Sequence, residues 1–158
     1  VAYLVEDVTL PIVFAGFALS MASAGGMVGR LFWGVFADWI RSARLTLSLL
    51  GFLMATLAII TSLFTPEWPS WLILTVAFAL GASAIGWNGV HLAQLARVAP
   101  KGKAGVATGG MLFFSFGGSI FLPVVFGKLH TLFGQYQDGF YVIATLSGSV
   151  ALWLLLSK

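Results

Sequence analysis

The sequence predicts an all-α integral membrane protein, a bundle of five complete transmembrane helices plus the tail of a sixth. Hydrophobic residues make up 59% of the 158-residue chain and charged residues only 8%, with a mean hydropathy of +1.01. A soluble globule of this length would need far more polar surface. Five nearly uncharged stretches are also about 20 residues long, the length at which a helix crosses the hydrocarbon core.

The five spans are expected near residues 11–33, 45–64, 71–93, 104–127 and 140–156. Before them, residues 1–5 form an apolar run that stops at Glu6 and Asp7, and we interpret it as the tail of an earlier helix. The chain is therefore expected to be a fragment of a bundle with six spans. Short turns that contain proline separate the spans at residues 65–70 and 99–103.

Basic residues fall almost entirely on one side of the expected bundle. Only Lys128 lies on the other side, and the remainder are Arg30, Arg41, Arg44, Arg97, Lys101, Lys103 and Lys158. Such an excess of Lys and Arg marks the cytoplasmic face, so the loops near residues 34–45 and 94–104 are expected in the cytoplasm and the protein in the cytoplasmic (inner) membrane. The net charge of +3 does not indicate nucleic-acid binding, because the charges lie beside bilayer-length spans.

A short charged turn is predicted over residues 34–44. Gly34 and Asp38 are one helical turn apart, so the glycine allows a neighbouring helix to approach the face that carries the carboxylate. Arg30 extends that stripe into the span. An ordinary alternative stays open, in which Asp38 pairs with Arg41 or Arg44 in a surface contact worth about 0 to 1 kcal/mol.

The third span carries a polar stripe of Asn88, His91 and Gln94, spaced every three residues. Polar groups at membrane depth usually face a cavity or another helix. One interpretation is that the stripe lines a cavity, and the other is that these side chains near the cytoplasmic end only hydrogen-bond neighbouring helices.

Several small residues have spacings typical of close helix packing in lipid. Gly25 with Gly29, and Gly105 with Gly109, follow the small-xxx-small pattern, and Pro123 is expected to kink its helix. No phosphate-binding glycine motif is present in the sequence.

The chain offers little for enzymatic chemistry. Its two histidines, His91 and His130, are expected on opposite sides of the membrane, and there is no cysteine, so no metal site, cofactor or nucleophile is predicted. No span has a carboxylate in its middle. Proton coupling would have to use His91, whose ordinary pKa near 6.5 permits it, or an acid elsewhere.

The turn at residues 34–44 resembles the signature loop of the major facilitator superfamily, in which a glycine, a carboxylate four residues later and a following arginine recur. Trp39 and Arg41 stand where the usual Asp-Arg pair and second glycine would be. The glycine-rich run at residues 99–127 is similar to the eleventh helix of that family, and residues 134–140 to the turn into the twelfth. The chain would then extend from the end of the seventh helix to the twelfth, in the C-terminal half.

The resemblance implies a secondary transporter that moves a small solute by alternating access, with the lipid bilayer, the N-terminal half, the solute and a candidate coupling proton as partners. Gly34, Asp38, Arg41 and Arg44, with Arg30, would form the gate, where Asp38 could meet a helix N-terminus of the other half for about 0.3 to 2 kcal/mol. Asn88 would then border the central cavity. The alternative is a membrane protein that only packs or assists and does not transport.

Overall fold

The computed structural model describes residues 1–100, 102–134 and 136–157, apart from the side chains of residues 96, 122, 123, 125, 126 and 129–133. Every regular element in this part of the chain is an α-helix, which confirms the predicted all-α class. The helices are α1 (Ala2–Glu6), α2 (Ile12–Ile40), α3 (Ala43–Ser62), α4 (Ser70–Ala84), α5 (Trp87–Val98), α6 (Ala104–Phe133) and α7 (Gln137–Leu156). Five segments, counting α4 with α5 as one, are long and apolar enough to cross a membrane.

Helix α2 is longer than the first expected span, and this corrects the predicted turn at residues 34–44. Gly34 and Asp38 lie inside the helix, which continues to Ile40 because no helix-breaking residue precedes that point. The chain reverses at Arg41, whose φ of 55° is left-handed. Ser42 then caps α3 by accepting a hydrogen bond from the backbone N–H of Leu45 at 3.3 Å.

The third expected span is interrupted. Helix α4 ends at Ala84 and α5 begins at Trp87, although Ile85 and Gly86 between them keep right-handed helical dihedral angles. In the first turn of α5, the backbone N–H of Gly89 donates to the carbonyl of Gly86, three residues back, at 3.2 Å. The side chain of Asn88 donates to the carbonyl of Ile85 at 3.3 Å. The same carbonyl also accepts a hydrogen bond from the backbone N–H of Asn88, at 3.3 Å.

Helix α2 packs along α4, and α3 packs along α7, with α5 lying against α2 and α3. The α2–α4 contact brings the two backbones together. A Cβ atom on Gly25 would lie 2.0 Å from the carbonyl oxygen of Phe78, and one on Gly81 would lie 1.8 Å from that of Ala22. A Cβ atom on Gly29 would lie 2.3 Å from the carbonyl oxygen of Ala82.

The glycines of α6 lie in a different environment. A Cβ atom on Gly105 or Gly109 would have no other atom within 4 Å among the described residues, so the spacing that predicts close packing there has no partner helix in this part of the chain. The backbone of α6 is helical through position 123. The predicted kink at Pro123 concerns a side chain outside the described residues.

A polar cluster ties α1 to the rest of the bundle at the end opposite Arg41. The hydroxyl of Tyr3 donates to the carbonyl of Thr61 at 2.7 Å. The carboxylate of Asp7 accepts hydrogen bonds from the backbone N–H groups of Tyr136, at 2.7 Å, and Gln137, at 3.2 Å. Asp7 therefore caps the N-terminus of α7, a role that its position in the sequence does not reveal.

The glycine contact between α2 and α4 can be tested by adding one methyl group. We expect Gly25→Ala to destabilise the protein by about 1 to 3 kcal/mol, because the new Cβ must displace backbone and not a flexible side chain. The measurement is the thermal unfolding midpoint in detergent. Gly16→Ala on the same helix is the matched control, since a Cβ there meets nothing within 4 Å; equal midpoints for the two variants would contradict the packing described.

The cap on α7 gives a second prediction. Asp7→Ala removes the acceptor of two backbone hydrogen bonds, and we expect a loss of about 0.5 to 2 kcal/mol of stability. Hydrogen exchange of the Tyr136 and Gln137 amides should accelerate in the variant. Amides that keep their protection after the substitution would show that Asp7 does not hold this helix end.

Candidate functional site

A cavity of about 450 Å³ lies between α2, the α4–α5 break and α6. Its polar lining comes from three separate elements, Arg30 from α2, Asn88 from the start of α5, and Ser115 and Ser119 from α6. Apolar atoms complete the wall, among them the ring of Trp87. Charged and polar groups thus converge on one partly open cavity between helices of bilayer length.

The cavity lies deep within the spans. Arg30 precedes the end of α2 by about 15 Å of helical rise, and Ser115 follows the start of α6 by about 16 Å. Half of the hydrocarbon core is about 15 Å thick. Helices α2 and α6 are about 44 and 45 Å long, more than the full core, and Arg30 and Ser115 lie about 6 and 5 Å from their midpoints. If both helices cross the bilayer, these two side chains therefore lie within its hydrocarbon core.

Arg30 lies on α2, one helical turn before Gly34 and two turns before Asp38. It lines the cavity together with Asn88, and no described carboxylate pairs with it, since the ion pair found in this part of the chain joins Arg97 to Asp38. A charged side chain at such depth is costly and usually marks a functional pathway. Sequence spacing could not place Arg30 beside Asn88, because they are 58 positions apart.

The predicted polar stripe is divided by the structure. Asn88 faces the cavity with Arg30, whereas His91 faces a second cavity of about 510 Å³ between α3, α5 and α7. That second space is almost wholly apolar, and the Nδ1 atom of His91 is buried without a hydrogen-bond partner among the described residues. Gln94 is exposed and lines neither cavity.

Trp87 lies at the boundary between the two cavities. Its side chain lines both of them, and its ring lies 5.6 Å from the imidazole ring of His91, measured between centroids. A displacement of His91 would therefore push against Trp87, which forms part of the wall of the cavity at Arg30.

Asp38 forms an ion pair with Arg97 at 2.7 Å, joining the end of α2 to the end of α5. This corrects the alternative in which Asp38 pairs with Arg41 or Arg44; Arg44 instead donates to the backbone carbonyl of Ser157. Both members of the pair are 63% exposed, so the contact is worth about 0 to 1 kcal/mol. Gly34 has no atom within 4 Å of its would-be Cβ, so no described helix approaches it.

On the side opposite this ion pair, the carboxylates that surround the start of α7 affect Tyr136. Desolvation, followed by the negative charges of Glu6 and Asp7, raises the pKa of Tyr136 above its ordinary value. The phenol is therefore neutral over the physiological pH range, and it adds no charge to this end of the bundle.

Two proteins of known name are similar to the chain. A probable galactarate/D-glucarate transporter, GudP, of Escherichia coli (strain K12) is 28% identical over 145 residues, covering 85% of this chain and 31% of that protein. A probable hexose phosphate transport protein of Chlamydia pneumoniae is 29% identical over 158 residues, covering 98% of this chain and 34% of its own length. The chain spans about a third of the length of each relative.

The apolar helices and these relatives together decide the class of protein. The chain is a multi-pass membrane protein. Both relatives carry names of transporters, which supports a non-enzymatic role and solute transport in general. No protein-family model matches the chain, and no solved structure matches it.

Proposed function

We propose that the chain is the C-terminal half of a major facilitator transporter, which moves a small solute across the cytoplasmic membrane by alternating access. The observation that carries the proposal is the cavity at Arg30, where polar side chains from three helices of membrane-spanning length meet. Solute sites of secondary transporters lie near the midplane between structural repeats. The names of the two relatives support the same function.

The broken third span also supports this proposal. The backbone at Ile85 and Gly86 stays right-handed helical, and a short stretch of i to i+3 hydrogen bonds inside a helix often marks a functional hinge. Here the break at residues 85–86 lies directly before Trp87 and Asn88, which both line the cavity. In this proposal the other wall of the site comes from an N-terminal half of the same polypeptide.

The pair of Asp38 and Arg97 is the proposed cytoplasmic latch. A strong, buried pair would hold one state too firmly, whereas an exposed contact worth about 0 to 1 kcal/mol can open and reform in each cycle. In the other state Asp38 would exchange Arg97 for the positive N-terminal end of a helix in the other half. Two nearly balanced partners for one carboxylate would keep the two states close in free energy.

Protons are the candidate coupling ion, with His91 as their site in this chain. The imidazole is the residue type whose ordinary pKa lies closest to physiological pH. It lies against Trp87, which also lines the solute cavity. Protonation at His91 would thus be transmitted to the cavity through one shared side chain.

The latch can be tested by transport measurements on the full-length gene product in proteoliposomes. We expect Asp38→Asn to reduce the flux of D-glucarate or glucose 6-phosphate by up to about five-fold, the factor that corresponds to about 1 kcal/mol for an exposed ion pair. Arg97→Gln should also reduce the flux, because it removes the same ion pair. Glu67→Gln, in the turn at the opposite end, is the charge-matched control.

Wild-type flux in the Asp38→Asn variant would show that the pair has no part in gating. Failure of the wild-type protein to move any tested solute would instead favour the accessory role. A loss in Asp38→Asn that Arg97→Gln does not share, in a correctly folded protein, would assign Asp38 to another partner and remove Arg97 from the latch.

A further inference from the structure

We propose that the cavity at Arg30 is an oxyanion site, in which the guanidinium of Arg30 binds the carboxylate or phosphate of a small hydroxylated solute. The inference rests on the proposed transport function and names the chemical class of the solute. It also assigns to Arg30 the role of reading the solute's negative charge.

No acidic side chain among the described residues supplies a countercharge to Arg30. Arg30 lies on a bilayer-length helix, at a depth where an unpaired charge is costly. The lining of its cavity contains no acidic side chain, and the one salt bridge among the described residues belongs to Arg97. An anionic solute would supply the charge that the described part of the protein does not.

Two polar neighbours of Arg30 in the cavity, Asn88 and Ser119, can accept further hydrogen bonds. Asn88 uses its amide N–H on the carbonyl of Ile85, at 3.3 Å, which leaves the side-chain carbonyl as an acceptor. The hydroxyl of Ser119 donates to the backbone carbonyl of Ser115 at 3.0 Å, so its oxygen lone pairs also remain acceptors. These acceptors match donors on a solute, and hydroxyl groups are such donors.

The donor and the acceptors of the cavity suit different parts of a solute. Arginine offers planar N–H donors that bind carboxylate or phosphate through two parallel bonds. One end of the cavity therefore suits an oxyanion, and the side chains of α5 and α6 suit the hydroxylated remainder. A volume of about 450 Å³ lies within the range of about 300 to 1,000 Å³ that is typical of small-molecule sites.

The second cavity provides an internal comparison. It is slightly larger, at about 510 Å³, yet no charged residue lines it. An anion that entered it would lose its hydration and would meet a cation only while His91 carries a proton. The chemistry of the two cavities therefore assigns the anion to the side of α5 that faces Arg30.

The test is a binding titration on the purified full-length protein in detergent. D-glucarate supplies the carboxylate probe, glucose 6-phosphate the phosphate probe, and sorbitol the neutral hydroxylated probe. We expect at least one anion to bind and sorbitol to bind at least about ten-fold more weakly. Arg30→Gln should raise the dissociation constant of that anion about ten-fold or more, and Arg30→Lys by less, because a point charge replaces the planar donor.

Lys103→Gln is the matched control, since it removes one positive charge from the exposed segment before α6 and leaves the cavity lining intact. Thermal unfolding of each variant shows whether Arg30→Gln is folded, and Arg30→Lys keeps the test valid if it is not. Binding of glucarate alone identifies a carboxylate site, and binding of glucose 6-phosphate alone identifies a phosphate site.

The inference is overturned if neither anion binds, if sorbitol binds as tightly, or if Arg30→Gln leaves anion affinity unchanged. Transport is scored separately, by flux in proteoliposomes. Arg30-dependent anion binding without flux would support the oxyanion site and contradict the transport proposal. Flux of a neutral solute that is insensitive to Arg30→Gln would support transport and contradict the oxyanion site.

Discussion

The rest of the structure depends on how closely α2 and the broken third span approach each other. Backbone meets backbone at Gly25 and Gly81, and again near the break, where a Cβ on Gly89 would lie 2.8 Å from the carbonyl oxygen of Arg30. Small residues allow this approach in a membrane, where helices associate by close packing and not by the hydrophobic effect. The same contact that holds the helices together therefore places Arg30 beside α5 and opens the cavity against α6.

The break at residues 85–86 gives the two faces of α5 different environments. Asn88 faces a polar cavity beside an arginine, and His91, one turn later, faces an apolar cavity and lies against the ring of Trp87 at a tilt of 37°. One helix, α5, thus lies between a candidate solute site and a candidate proton site, and the side chain of Trp87 lines both cavities. At the far end of α5, the exposed pair of Arg97 and Asp38 connects the same helix to α2. Solute, proton and gate are all coupled, in this account, through one short helix.

The features that depend on local composition could be predicted from the sequence. Hydropathy predicts five spans, and the structure has five helical segments of that length and character, because the bilayer requires long apolar runs. The end of α2 and the contacts between distant segments were predicted wrongly or not predicted. Helix α2 continues to Ile40, and Asp38 pairs with Arg97 instead of its neighbours in sequence. The cap that Asp7 places on α7 joins residues about 130 positions apart, which no periodicity reveals.

The central claim is that Arg30, Asn88 and Ser115 share one water-accessible cavity inside the membrane. The chain has no cysteine, so single-cysteine variants of this region report on one position within it. The decisive measurement is the rate at which a water-soluble, thiol-specific reagent modifies Ser115→Cys and Phe113→Cys in membranes. Phe113 is two residues away on α6, exposed and outside the cavity lining. The account predicts fast modification at 115 and slow modification at 113; equal rates, or faster modification at 113, would contradict it.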